Sequence, residues 1–335
     1  MSLATVVETR GSTYSKAGAL MLIDENGIFK GMLSGGCLEG DLAIRAQLVI
    51  ETGTPQLITY DLAEDNDELW GLGVGCDGLM KVLLQPLIAA QDYEPFATIL
   101  AALDSDAPAV VSTLLESSIK CAPIGSALVL ANGNSSAFGI ADDLLSKIVA
   151  GATKALCSGA TISERITVAD NDVLALHSVI RPAPRILVLG GGLDAEPLVR
   201  YADELGWKCT VVDHRPAYLE KGNFSGAERA ICCSVDELRT EVELEKFDAA
   251  VVMSHHLASD RAYLEHLGTT DIAYVGLLGP AGRRDRLLAE LGDRGGALAG
   301  RLSGPAGLDI GGRGPAAIAL SIVVEIQQTL AKADT

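Results

Sequence analysis

Aromatic residues supply only 4% of this chain's 335 residues, and 26 Lys plus Arg stand against 44 Asp plus Glu, a formal net charge of −18. A surplus of acid on that scale leaves no basic face for a phosphate backbone, which excludes nucleic acid as the main partner. The same deficit of positive charge argues against docking on an anionic membrane. No apolar run approaches the ~20 residues that span a bilayer. The N-terminus has no charged segment leading into an apolar core, so no secretory signal is read. Met1-Ser2-Leu3 runs straight into the strand Ala4–Val7, which predicts that native residues precede it. The seven cysteines, at 37, 76, 121, 157, 209, 232 and 233, form no C-x-x-C repeat. That pattern excludes a disulfide scaffold and predicts a reduced, cytoplasmic protein with Cys232-Cys233 at a strand end. Cysteines and histidines also lack the spacing of a metal site.

What the chain does have is glycine, 36 residues of it, and 48% hydrophobic residues. That combination predicts an α/β protein with many tight strand–helix turns, and the length predicts two domains. The first, over residues 1–182, reads as a mixed α+β unit. Strands at 3–9, 19–23 and 28–33 surround the hairpin signal Asn26-Gly27. A helix runs from about 38 to 52, then strands at 57–61 and 79–84 flank the glycine-rich loop 70–78. A helix near 93–103, strands near 109–115 and 126–131, a helix near 142–157 and strands near 163–168 and 172–180 follow. No internal repeat is read along it. Arg181-Pro-Ala-Pro-Arg185 then predicts a linker, since both prolines force extended geometry. Over 185–335 short apolar strands alternate with helices, the rhythm of a Rossmann-like, doubly wound parallel sheet.

Three clusters carry chemistry. Ser34-Gly-Gly-Cys-Leu-Glu-Gly40 puts Cys37 at the start of a helix whose apolar positions recur at Leu38, Leu42, Ala46 and Val49. A helix N-terminus favours thiolate, the form that attacks electrophiles or binds metal. Gly35 and Gly36 allow the backbone to come close to whatever the cysteine faces. On residue type alone, the simpler reading is a small buried apolar cysteine. The second cluster is Gly190-Gly-Gly192-Leu-Asp-Ala195, which matches Gly-x-Gly-x-x-Gly/Ala between a strand and a helix. Asp213 ends the next strand, where a carboxylate would meet a ribose hydroxyl. Asp194 in the turn would repel a pyrophosphate unless it points away. Arg215 either offsets a 2′-phosphate or pairs with Asp213. The third comprises His255-His256 and Asp260 after one strand, and Gly279-Pro-Ala-Gly-Arg283-Arg284 after the next. His255 there suits acid–base work or metal ligation; the simpler reading is a surface imidazole with Asp260 as a helix cap. Arg283 and Arg284 at a helix N-terminus make an anion cradle or a solvated basic turn.

In order along the chain, Ala4-Thr-Val-Val…Gly11-Ser-Thr, the Cys37 segment, Gly75-Cys-Asp-Gly78, the turn at 190, Val252-Met-Ser-His255…Asp260 and Gly307-Leu-Asp-Ile-Gly311 resemble the xanthine dehydrogenase accessory factors of the XdhC/CoxI family. The resemblance runs nearly end to end. It implies a dimeric maturation factor, a cysteine-bearing domain followed by a Rossmann domain. Such a factor binds and protects molybdenum cofactor and supports its sulfuration. It then delivers the cofactor to an apo molybdenum hydroxylase of the xanthine or CO dehydrogenase type, with a cysteine desulfurase as a further partner. Residue by residue, Cys37 matches the motif cysteine that would meet molybdenum, Glu39 its partner acid, and Cys76 the second glycine-flanked cysteine. Two departures stand out. The family's Gly-His-Val-Gly turn is Gly192-Leu-Asp-Ala195 here, and its Gly-Cys-Gly-Gly is Gly75-Cys-Asp-Gly. Two other readings remain beside this one. The first is an NAD(P)-dependent oxidoreductase using Gly190, Gly192, Asp213 and His255; the second is a partner-binding protein with vestigial sites.

Overall fold

The computed structural model describes residues 1–61 and 78–333. The loop carrying Gly75, Cys76 and Asp77 lies outside the described residues. The chain divides into two compact units, Met1–Pro182 and Ala183–Thr335.

In the first unit, β1 (Ser2–Gly11) is buried on both faces from Ser2 to Val7, its side chains alternating between two cores. Ala4 and Val6 join one core, while Leu3 and Val7 face the opposite side. The hairpin between β2 (Leu20–Ile23) and β3 (Phe29–Lys30) closes on Asp24, whose Oδ1 accepts the N–H groups of Asn26 and Ile28, each at 2.8 Å. The expected strand 28–33 shortens to two residues, because Gly31 at φ 95° turns the chain away. α1 (Glu39–Thr52) buries Leu42, Ala46 and Val49 on the sheet and stops at Gly53, which takes the left-handed conformation. β4 (Gln56–Asp61) and β5 (Gly78–Pro86) complete an antiparallel sheet in the order β3-β2-β1-β5-β4.

After α2 (Phe96–Leu103) the chain builds the same arrangement again. β6 (Ala109–Ser117), β7 (Ala127–Ala131) and β8 (Asn134–Phe138) precede α3 (Asp142–Ser158); β9 (Ile162–Val168) and β10 (Asn171–Ile180) follow it. The sheet order β8-β7-β6-β10-β9 repeats the first one strand for strand. Both central pairings also carry a bulge, between Val6 and Glu8 and between Leu174 and Ala175. The reading of no internal repeat is thus corrected: the unit is a topological duplication. It escapes the sequence because the copies share alternation and not identities. α1 covers one sheet and α3 the other, and the two bare faces meet through Leu3, Val7, Leu83, Val111, Leu115 and Leu176.

The second unit begins with β11 (Arg185–Leu189), α4 (Ala195–Glu204), β12 (Lys208–Asp213), α5 (Pro216–Lys221) and β13 (Arg229–Cys232). It continues through α6 (Leu238–Glu241), β14 (Ala249–Val252), α7 (Leu257–Leu267), β15 (Tyr274–Leu277), α8 (Ala281–Leu291), α9 (Asp293–Leu298), β16 (Leu302–Ser303) and α10 (Pro315–Ala333). The six strands are parallel in the order β13-β12-β11-β14-β15-β16, the doubly wound order. Ile186 and Val188 of β11 pack with α4 and α10, Leu187 and Leu189 with α7, so both faces are covered. α8 starts at Ala281, where Pro280 presets the first turn and its carbonyl accepts the Arg283 N–H. Every cysteine among the described residues is free. None of the described helices is long and apolar enough to cross a membrane.

Candidate functional site

The Cys37 segment forms a tight elbow between β3 and α1. Gly35 and Gly36 both hold positive φ, 74° and 109°, and a Cβ on Gly35 would sit 3.3 Å from the ring of Tyr14. Glu39 holds the elbow together from within. Its Oε1 accepts the N–H groups of Leu33 and Ser34, both at 2.8 Å; its Oε2 accepts Gly36 N–H at 2.9 Å and the Ser34 hydroxyl. Ser34 Oγ in turn accepts Leu38 N–H at 2.7 Å. Burial pushes the Glu39 carboxyl up, but these hydrogen bonds outweigh it and hold the group below its ordinary value. The sequence assigns the open N–H groups of this helix start to Cys37; the structure spends those of the elbow on the carboxylate of Glu39. Glu39, 3% exposed, is therefore the pin of the loop. Cys37 itself is half-buried against the α1 core, and Tyr14 and Met32 beside the elbow are exposed.

A second cluster gathers at the carboxyl ends of the parallel strands, at the switch point between β11 and β14. Gly190, at φ 125°, lets the turn pass the end of β14: a Cβ there would lie 2.5 Å from the Met253 carbonyl oxygen. Asp213 is 1% exposed, and four hydrogen bonds fill its carboxylate. Oδ2 accepts Gly191 N–H at 2.7 Å and Arg215 Nη2 at 2.8 Å; Oδ1 accepts the backbone and Nε donors of Arg215, each at 2.9 Å. Burial raises this carboxyl, and the Arg215 and Gly191 donors more than reverse the shift, holding it below the ordinary aspartate value. Of the two roles read for Arg215, pairing with Asp213 is the one adopted, with the guanidinium stacked 3.7 Å above the Tyr218 ring.

Asp194 pairs with His255, Oδ2 to Nε2 at 3.1 Å, and the imidazole lies over Gly192. His255 holds φ 60°, in the left-handed region that histidine enters more readily than most side chains. His256, and not Asp260, caps α7, accepting Ser259 N–H at Nδ1. Asp260 is 1% exposed; it accepts the Ser254 hydroxyl and Arg283 Nη2. Arg284 turns outward to Asp285. Gly190, Gly192, Asp213, His255, Asp260 and Arg283 thus share one crevice, and Arg284 does not join it. No cluster of His, Cys, Asp and Glu able to hold a metal ion occurs among the described residues.

Sequence reasoning missed two buried polar groups. Tyr263 sits on the buried face of α7, one turn after Asp260. His177, wholly buried under α3, bonds Ser112 Oγ through Nδ1 at 2.7 Å, with Nε2 3.3 Å from Glu164. A lone tyrosine or histidine in an apolar run reads as core; only glycine at position 151, inside a helix, hints that something polar comes close.

An N-terminal cysteine elbow on a duplicated antiparallel module, followed by a doubly wound domain with a glycine turn, defines the class. The segment 1–61 matches the model of the XdhC and CoxI family, and 186–326 matches that of the XdhC Rossmann domain. The chain is 32% identical over 327 residues to a probable xanthine dehydrogenase subunit of Bacillus subtilis (strain 168), covering 98% of this chain and 92% of that one. It belongs to the XdhC and CoxI family. The molybdenum cofactor insertion chaperone PaoD of Escherichia coli (strain K12) is 30% identical over 106 residues, 32% of this chain and 31% of PaoD. A crystal structure titled as a xanthine dehydrogenase from Bacillus halodurans matches with TM-score 0.78 and 29% identity, covering 99% of this chain and 91% of that one.

Proposed function

We propose that this protein is a maturation factor that holds molybdenum cofactor as cargo and delivers it to a molybdenum hydroxylase of the xanthine dehydrogenase type. The observation that carries the reading is the Cys37 elbow, a half-buried sulfur on a backbone fixed by Glu39. It belongs to a chain with one relative named as a cofactor insertion chaperone and another as part of a xanthine dehydrogenase. Thiolate sulfur is a soft ligand suited to a metal already bound by a dithiolene. Cys37 contacts the molybdenum or the sulfur exchanged for its oxo ligand, with Cys76 as a second sulfur. A rigid elbow serves release as well as capture, because nothing in the loop has to reorder when cargo leaves. A cysteine desulfurase supplies the exchanged sulfur, and the protein works as a homodimer in the cytoplasm. The oxidoreductase reading gains no support from the crevice, where Asp213 has no lone pair left for a ribose.

The test is activation of an apo-hydroxylase with cofactor supplied through this protein. Cys37→Ser is expected to bring less pterin through purification and to abolish activation. Normal activation by the variant refutes the role.

A further inference from the structure

Away from both sites described above, the second sheet of the N-terminal unit carries an open cleft of about 410 Å³ between α3 and β9. On the helix, Lys147, Gly151 and Lys154 recur at i, i+4 and i+7, so two lysines share one face with a gap between them. The strand supplies Glu164, Arg165, Ile166 and Thr167. Three cations against one carboxylate is a local reversal of sign in a chain of net charge −18. Two of the three are not matched by acid. Lys147 Nζ donates to the Thr167 carbonyl oxygen at 2.6 Å, and Lys154 forms no hydrogen bond or ion pair among the described residues. Arg165 shares one amino group with Glu116 at 2.9 Å.

Behind this cleft lies a buried group without a partner. Ser112 Oγ takes His177 Nδ1 at 2.7 Å, and Nε2 of the same wholly buried ring forms no hydrogen bond. Nε2 stands 2.4 Å from where a Cβ on Gly151 would be and 3.3 Å from Glu164 Oε1. Glycine at 151 thus leaves room for the ring, and Glu164 links it to the cleft. Glu164 from β9 and Lys154 from α3 are the charges that face the imidazole; β6 presents the Ser112 hydroxyl. Buried polar atoms left unbonded are uncommon and call for a reason. Here the reason is a proton: a protonated His177 cancels the charge of Glu164, and a neutral one leaves that carboxylate to repel an anion. Burial keeps the ring neutral in the empty cleft, so the proton is there to be gained. We propose that the cleft binds a small phosphomonoester or inorganic dianion through Lys147, Lys154 and Arg165, and that His177 takes up a proton from solvent as the anion enters. Lysines serve phosphate as point charges, and the volume leaves room for an organic group beyond it.

The site draws on neither Cys37 nor the crevice, so its failure would leave the cofactor reading untouched. Calorimetric titration of the full chain with sulfate, inorganic phosphate and glycerol 3-phosphate, at constant ionic strength, tests it. Sulfate keeps its charge between pH 5.5 and 7.5 and so reports the titration of the protein alone. One saturable site is expected, with sulfate affinity about threefold or more higher at pH 5.5 than at 7.5. Lys154→Ala breaks no bond in the free protein, so its melting temperature should hold while anion affinity falls about tenfold or more. Lys30→Ala, which removes a cation from the other sheet, should bind as the wild type does. Glu164→Gln should bind sulfate more tightly than the wild type at pH 7.5 and lose most of the pH dependence. Tighter binding of glycerol 3-phosphate than of inorganic phosphate identifies the phosphate group of a metabolite as the ligand; the reverse order identifies the free ion. Absence of a saturable site, affinity untouched by Lys154→Ala, or a pH dependence that survives Glu164→Gln each overturns the proposal.

Discussion

At the residue scale, the two most consequential side chains are buried polar groups that hold other residues in place. Glu39 accepts three backbone N–H groups and a hydroxyl. Removing it strands those donors, and Glu39→Ala is expected to cost about 2–4 kcal/mol, read as a lower urea midpoint. Because its folded pKa lies below the ordinary 4.5, its contribution is complete above that value and is lost as pH falls through the lower folded one. Acid unfolding of the variant should therefore be shallower than that of the wild type below about pH 4.5. His177 adds to the same loss of stability on acidification, through its neutral form. Burial lowers its pKa from 6.5, and the attraction of Glu164 only partly offsets this. The unfolded chain then binds the proton more readily, so stability is full above pH 6.5 and declines as pH falls towards the folded value. His177→Gln, compared with wild type by denaturant titration at pH 7.5 and 5.5, should lose less stability between the two. An equal loss would place the pH sensitivity elsewhere.

At the element scale, α3 gives a sharper test, because a general rule and the local geometry predict opposite signs. Glycine inside a helix ordinarily costs about 0.5–1 kcal/mol relative to alanine, so replacing it stabilises. At Gly151 an added Cβ would meet Glu164 Oε1 at 2.3 Å and His177 Nε2 at 2.4 Å. Gly151→Ala must push the helix off the sheet or displace Glu164 from the buried His177, and should destabilise by about 2 kcal/mol or more. Gly282→Ala on α8, where nothing lies within 4 Å, should be neutral or gain up to about 1 kcal/mol. Thermal melts of the two variants check both signs. Elements of this kind show what a sequence discloses. The strands and helices of the C-terminal unit are legible because each apolar run is short, continuous and punctuated by glycine. In the N-terminal unit the runs are legible and their pairing is not, since nothing local tells β1 to lie between β2 and β5. The crevice is legible as a set of strand ends. The Asp213–Arg215 latch is one of two readings open to the sequence, and Tyr263 carries no local signal at all.

At the scale of the whole molecule, two units have separate cores. The clusters built on β11 and its neighbours draw only on residues after 185; the remaining clusters draw only on residues before 181. Each unit buries its own sheet faces, and a core of that size is enough for independent folding. The duplicated sheets of the first unit, in contrast, share the layer of Leu3, Leu83, Val111 and Leu176, so neither copy buries both faces alone. This predicts where the chain can be cut. Fragments 1–182 and 183–335 should each unfold cooperatively by circular dichroism and give dispersed amide spectra. The half-unit fragments 1–104 and 105–182 should expose apolar surface, bind a hydrophobic dye and fail to melt cooperatively. A folded 1–104 fragment would mean that the covered face of its sheet is not needed, and that the duplication is two domains and not one.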